Sequence, residues 1–490
     1  MISKREDTRF IVGMDFGTTT SAVGVVKNDN PHLLPVDDGA AVMPSVVAFG
    51  KNGEVLVGGG AKRQAVLNPE RTYHSIKRRM GERETYAIDG KEWSPSGISA
   101  QILLRLRKEA GKTLGREVID AVITVPAYFN QLQRQAVKEA GKLAGLNVVR
   151  IINEPTAAAM AYGVNLSEEQ NILVFDFGGG TFDVSILNIA DGVFEVKATG
   201  GDNRLGGDDI DLLIIDRIVK DFRQSRGIDL STDKVAMQKL KDEAENLKIA
   251  LSSSESARLR VPFITADQHG PIHIDCTFTT AMLDSMCEPL IRRLVSIAER
   301  TIKSSGLKKS DVDRILLAGG STRIPAVRSA IEKHFGLEKI LDGVNPIECV
   351  ALGAAVQAAI IGGEIEQRVL VDVTPLTLGL EIEGGETEPL IQKNSPIPAS
   401  AKKVFTTLAD FQKEVEIKIL QGNSNRALEN VSLGSFILDN LQKAKKGVPQ
   451  VEVEFDINVD GIMNVAARDK NTGSRCSIRI DRKDKHAQRM

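Results

Sequence analysis

Asn171–Ile189, NILVFDFGGGTFDVSILNI, reads as a β-strand, a glycine-rich turn and a second β-strand. This apolar run carries two aspartates, Asp176 and Asp183, with three glycines and a threonine between them. An earlier stretch, Phe10–Val26, FIVGMDFGTTTSAVGVV, follows the same plan: an apolar strand, Asp15-Phe16-Gly17, small hydroxyl residues, then apolar residues again. Asp-Phe-Gly at the same place in two hairpins predicts a duplicated unit, two similar half-domains facing each other. Glycine and threonine at a hairpin tip leave backbone N–H groups accessible, and successive free N–H groups form an anion nest. Triphosphate is the anion expected there. A carboxylate cannot lie against phosphate without a cation between them, and Mg²⁺ keeps several waters while taking few protein carboxylates. Asp15 and Asp176 are therefore expected to hold a hydrated magnesium ion from two sides, the two turns closing on one nucleotide.

Other nucleotide motifs do not fit. Gly111-Lys112-Thr113 resembles the end of a P-loop, but the position five before Gly111 is Leu106 and the segment reads as helix interior. No G-x-G-x-x-G follows a strand in the dinucleotide manner. The stretch GGSTR lacks the last glycine of a nucleophile elbow.

The chain has 490 residues, 42% hydrophobic and 26% charged, which favours more than one domain. A net charge of −2 predicts no broad attraction to nucleic acid or to an anionic membrane. No apolar run approaches the roughly 20 residues that span a bilayer. The first ten residues, MISKREDTRF, hold no apolar signal core, so a cytoplasmic location is expected. The basic end, DRKDKHAQRM, reads as solvated. Cys276, Cys287, Cys349 and Cys476 form no metal-type pair and read as reduced thiols. His269 and His273 are separated by Gly270 and Pro271, which break any helix that would align them as ligands.

Up to Gly362 short strands alternate with helical patterns: VIDAVITVPAYF, then NQLQRQAVKEAGKLAGL, then NVVRIINEP, then TAAAMAYGV. That alternation predicts an α/β fold. Beyond the apolar triplet Val369-Leu370-Val371 helical patterns vanish and alternating strands take over, with turn signals such as Asp460-Gly461. An all-β module of roughly 120 residues, one face wet, is expected there.

Further motifs carry a family resemblance over nearly all of the chain: VITVPAYFN, RIINEPTAAAMAYG, FDFGGGTFDVSIL, LGGDDID, LAGGSTRIPAV, DVTPLTLGLE and VEFDINVDGIMNVAARDKNTG. On these the chain resembles the seventy-kilodalton heat-shock chaperones of DnaK type. The resemblance implies an α/β actin-like ATPase domain of two lobes (1–364), a linker (365–372) and a β-sandwich (373–490) that binds extended, unfolded polypeptide. It implies ATP and Mg²⁺ as cofactors, with K⁺ as a further ion. J-domain co-chaperones and a nucleotide exchange factor are the implied partners, and protein folding under stress the implied role. Asp15, Gly17, Thr18 and Thr19 match the family's first phosphate loop; Asp176, Gly178, Gly179, Gly180 and Thr181 match the second, with Asp183 behind it. Lys77 matches the lysine at the terminal phosphate, and Glu154 the acid near magnesium and the attacking water. Gly206 and Gly207 match a further phosphate turn. Glu245, Lys248 and Ser252 match an adenosine clamp, faced by Gly319, Gly320, Ser321 and Arg323. Pro126 and Arg134 match a relay to the linker, Arg150 and Asn153 a region that meets the J-domain, and Val369, Leu370, Val371 and Asp372 the linker itself. Leu378, Leu380, Phe405, Val415, Ile417 and Ile462 match the apolar lining of the peptide groove.

The sequence also departs from that family. Ile249 and Ile347 stand near adenosine where many relatives carry polar or charged residues, and Arg204 stands where histidine is usual. Glu383 and Leu408 occupy the two positions that arch over the peptide. The family continues into a helical lid, whereas this sequence stops soon after its last strands, so an uncovered groove with fast peptide release is expected. The main expectation is an ATP-hydrolysing chaperone. A small-molecule kinase with the same core, a filament-forming actin relative, and a regulatory decoy that binds ATP but handles clients poorly are the other readings.

Overall fold

The computed structural model describes residues 10–163, 168–341, 343, 345–365, 368–479 and 488–489. Residues 1–9, the linker positions 366 and 367, and most of the basic end lie outside the described residues.

The two Asp-Phe-Gly hairpins seed two sheets of the same plan. In the first, Ile11–Phe16 pairs antiparallel with Thr20–Lys27, which pairs with Asn30–Leu33. On its other side Ile11–Phe16 runs parallel to Asp120–Val125, and that strand runs parallel to Asn147–Asn153. In the second sheet Gln170–Phe177, Phe182–Ala190 and Val193–Asp202 form the same antiparallel meander. Arg314–Ala318 runs parallel beside Gln170–Phe177. The expected duplication is therefore visible in strand order and direction. The strand expected from VIDAVITVPAYF ends at Val125, because Pro126 has no N–H to extend the ladder.

Helices Glu154–Gly163 and Cys349–Gly362 lie between the two sheets and share one core with both. Buried residues occur all round Cys349–Gly362, the mark of a helix enclosed by protein. Their crossing is close: a Cβ on Gly353 would fall 1.6 Å from the Ala157 carbonyl oxygen. Among the described residues no helix is long and apolar enough to cross a membrane. Among the described residues the four cysteines form no disulfide with one another. His269 and His273 fall on a two-stranded hairpin, where His273 Nδ1 accepts from the Phe263 amide at 2.9 Å.

Val369–Val373 is a β-strand lying parallel to Val193–Asp202, with Leu370 opposite Phe194. Its far edge pairs with Pro396–Ile397 of the β-module, so the second sheet runs from one region into the other. The module has one sheet of Glu386–Ile391, Leu378–Ile382, Val415–Gln421 and Val431–Leu438. A second contains Ala399–Phe405, Val451–Ile457, Met463–Asp469 and Arg475–Arg479. Ile417, Ile419 and Phe436 from one face Val453, Phe455 and Val465 from the other across a single core.

Candidate functional site

The two hairpin tips touch. A Cβ on Gly179 would lie 2.1 Å from Thr19 Cγ2, and one on Gly180 2.3 Å from Thr18 Cγ2, so only glycine allows the second turn to reach the first. Between and beside the tips lies a cavity of about 460 Å³. Its walls include Asp15, Gly17, Thr18, Thr19, Glu154, Asp176, Gly178, Gly179 and Thr181 at one end. Glu245, Lys248, Ser252, Gly319, Gly320, Ser321 and Arg323 line it as well. Gly180, Gly206, Gly207, Lys77 and Asp183 are not among the lining residues. Gly207 and Asp208 fasten the start of their helix to the second turn, donating their amides to the carbonyls of Gly178 and Gly179 at 3.0 and 2.8 Å. Not every turn amide is open to a ligand: that of Gly178 closes the loop on the Thr181 carbonyl at 3.1 Å.

Four carboxylates converge here. Asp15 stands next to the end of the first hairpin strand and accepts from Thr124 Oγ1 at 2.7 Å. Burial, with the charge of Glu154 second, pushes its carboxyl up to about 7. Asp176 is raised well above the usual carboxylate range by burial, then by Glu154, Asp183 and Asp15. Asp183 is likewise pushed up to about 7 by burial and then Glu154. Its Oδ1 accepts from the Tyr128 amide at 2.9 Å, and its buried Oδ2 has no partner. Lys77, 1% exposed, pairs with Glu154 and lies over the rings of Phe16 and Phe129 at 5.4 and 5.9 Å. Three buried acids and half-buried Asp15 face one buried lysine, with Arg134 acting on Asp183 from behind, which leaves the site short of positive charge; the orphaned Asp183 oxygen shows the same shortage. This donor set fits a hydrated divalent cation near Asp15 and Asp176. Among the described residues no three His, Cys, Asp or Glu side chains are spaced to ligate a metal directly.

Around the other residues the contacts are with the protein's own groups. Lys248 donates to Asp211 Oδ2 at 2.7 Å and to the Gly207 carbonyl at 3.1 Å. Asp211 is pushed up to about 6 by burial, the lysine opposing. Glu245 accepts from Lys62 at 2.6 Å, and Ser321 donates to the Gly178 carbonyl at 2.9 Å.

A run of hydrogen bonds leads from this site to the strand Val369–Val373. The turn after Pro126 carries the Tyr128 amide that holds Asp183, and its Ala127 and Phe129 carbonyls accept from buried Arg134. Arg134 also donates to Asn153 Oδ1 at 2.7 Å, and Asn153 donates to Asp372 Oδ2 at 2.7 Å. Arg150 faces Asp460 of the β-module at 3.9 Å. Asn153, expected at a J-domain contact, thus stands between Arg134 and Asp372 and bonds to both.

The β-module holds a second cavity, of about 990 Å³. Leu380, Glu383, Phe405, Leu408, Val415 and Ile417 line it, so Glu383 stands on the wall of this cavity. Two expected lining residues do not. Leu378 points to the same face as Leu380 but lies two residues along the strand, where it is fully buried in the module core. Ile462 is 4% exposed and closes the turn after Ile457, its amide bonded to Asn458.

Asp460 and Gln131 were not legible as functional residues. Asp460 reads as half of an Asp-Gly turn, yet it accepts from Lys138 at 3.0 Å and from the Ile151 amide at 3.1 Å, both across the boundary between regions. The Gln131 amide donates to Gln421 Oε1 at 3.0 Å, its side-chain nitrogen donates to the Gly461 carbonyl, and its Oε1 accepts from the Met463 amide at 3.0 Å. No local pattern marks a glutamine as buried.

The family model described as Hsp70 protein matches the chain over residues 11–88 and 84–489.

Proposed function

Because the chain belongs to the Hsp70 family, we propose that it is an ATP-hydrolysing chaperone in which the hairpin cavity binds Mg²⁺-ATP and the β-module cavity binds extended polypeptide. The cluster of buried, proton-hungry carboxylates between two glycine turns is the observation that carries this reading. Phosphoryl transfer asks the protein chiefly to position groups and balance charge. Asp15 and Asp176 would hold the ion through water, and the ion when bound would neutralise phosphate charge. Lys77 supplies a fixed positive charge in a dry pocket. Asp183, pushed up to about 7, is matched to accept a proton from water near neutral pH, with Glu154 as the alternative acceptor. Residues 1–364, 365–372 and 373–490 are proposed as ATPase domain, linker and peptide-binding domain. J-domain and exchange-factor partners and a cytoplasmic, stress-linked role belong to the same proposal.

Single-turnover hydrolysis tests it. Lys77→Ala should keep nucleotide binding and slow hydrolysis at least tenfold, which is about 1.4 kcal/mol of barrier. Hydrolysis at the wild-type rate in that variant, or at equal rates with and without magnesium, refutes the assignment.

A further inference from the structure

One part of the nucleotide cavity is closed and acidic, with Asp176 and Glu154 6% and 7% exposed. The other part is open: Ile249 is 60% exposed, and Ser253 and Arg323 are exposed. Ile249 belongs to helix Lys234–Leu251, which buries Ala244, Leu247 and Leu251 and so turns Ile249 off its core stripe and into the cavity. Ile347, from the turn before helix Cys349–Gly362, lines the same cavity; its Cγ1 lies 3.8 Å from where a Cβ on Gly320 would stand. The polar side chains beside them are engaged with the protein. Ser252 donates to the Lys248 carbonyl at 3.0 Å, Ser253 to the Ala250 carbonyl at 3.4 Å, and Arg323 to Asn345 Oδ1 at 2.9 Å. Asn345 Oδ1 also accepts from the Ile347 amide at 3.1 Å.

We propose that Ile249 and Ile347 form a base-blind purine clamp, so that the site takes guanosine and inosine triphosphates as well as adenosine triphosphate. The proposal rests on the reading of this cavity as a nucleotide site. Adenine and guanine offer nearly the same flat apolar faces and differ at one edge, where the adenine amino donor is replaced by a carbonyl acceptor and a ring N–H. Telling them apart requires a donor or acceptor fixed in place at that edge. A serine hydroxyl turns to suit either. A site that recognises by apolar contact separates similar ligands by roughly 10–200-fold, whereas a site with directed hydrogen bonds separates them by 10⁴–10⁵.

Competition of unlabelled ATP, GTP, ITP and CTP against a fluorescent ATP analogue, with magnesium present, decides it. GTP and ITP should bind within about tenfold of ATP, and CTP, with a smaller ring face, more weakly than all three. Ile249→Ser should weaken the three purine nucleotides alike. Ile347→Asp, which fixes an acceptor on one wall, should shift preference towards ATP. A wild-type preference for ATP over GTP beyond about two-hundredfold, or CTP binding equal to the purines, overturns the clamp. Absence of binding by any triphosphate overturns instead the nucleotide reading beneath it.

Discussion

Asp183 sits where two demands meet: its Oδ1 anchors the Tyr128 amide, while its Oδ2 is buried with nothing to bond. Its carboxyl is about 7 in the folded chain against an ordinary 3.8. Between those values the folded protein binds more protons than the unfolded one. Each step up in pH across that window therefore lowers stability, and the loss is complete above about 7. In nucleotide-free protein Asp183→Asn removes this group's share and keeps an oxygen for Tyr128. The melting temperature of the variant minus that of wild type should grow from pH 4 to pH 7 and then level off. One pKa unit corresponds to about 1.4 kcal/mol, so a rise of several degrees is expected. A difference that stays flat across this range sinks the account. At this scale legibility follows distance along the chain. Asp15, Asp176 and Asp183 could be read because each lies near a glycine turn, the last two flanking the same one. Thr124, which holds Asp15 from 109 residues away, and Phe129, which packs on Lys77, belong to strand and turn patterns that say nothing of their partners.

The strand Val369–Val373, proposed as part of the linker, is also part of a sheet. Val369 is 50% exposed, and Leu370 packs against the core between the two half-domains. Full burial of such a side chain is worth about 1.5–3 kcal/mol; half-buried Leu370 and Val371 each gain part of that, and Val369 gains less. Aspartate at 369, 370 and 371 together should leave ATP binding intact and abolish stimulation of hydrolysis by peptide, and Leu370→Asp alone should do most of this. Stimulation equal to wild type in the triple variant would make the strand a mere tether. In the groove, Glu381 is paired with Lys418 at 3.3 Å and Glu416 accepts from Ser435 at 2.8 Å, while Glu383 stands exposed on the cavity wall. An exposed charge pair is worth about 0.2–1 kcal/mol, so peptides with Lys or Arg beside the apolar anchor should bind a few-fold more tightly than acidic ones, less so at high salt. Glu383→Met should erase the difference; matched basic and acidic peptides of equal affinity in wild type would dismiss it. The elements themselves were readable from periodicity. Their deeper ends were not, since Leu378 and Leu380 look alike in sequence and differ only in what lies opposite.

Across the whole molecule, Asp460 fastens the β-module to the first half-domain through Lys138 and the Ile151 amide, and Gln131 returns the contact from the other side. Asp460→Ala leaves the amide and the ammonium without their acceptor, at a cost of about 1–3 kcal/mol. Deuterium uptake at the Ile151 and Met463 amides should rise together in that variant by about tenfold, because both bonds cross the same boundary. Uptake that rises at Ile151 alone would show a local effect without loosened docking. The sequence patterns predict both regions but not their joint, because a surface built from two distant segments has no period. The joint also decides how the molecule meets its neighbours. Asn147–Asn153 is the outermost strand of the first sheet, and Val193–Asp202 would border the second if Val369–Val373 left it. Separation of the two regions thus bares two unpaired strand borders, each a template for another chain. A form with the two regions apart would for that reason be the form most prone to stick to copies of itself, so any time spent undocked carries a solubility hazard.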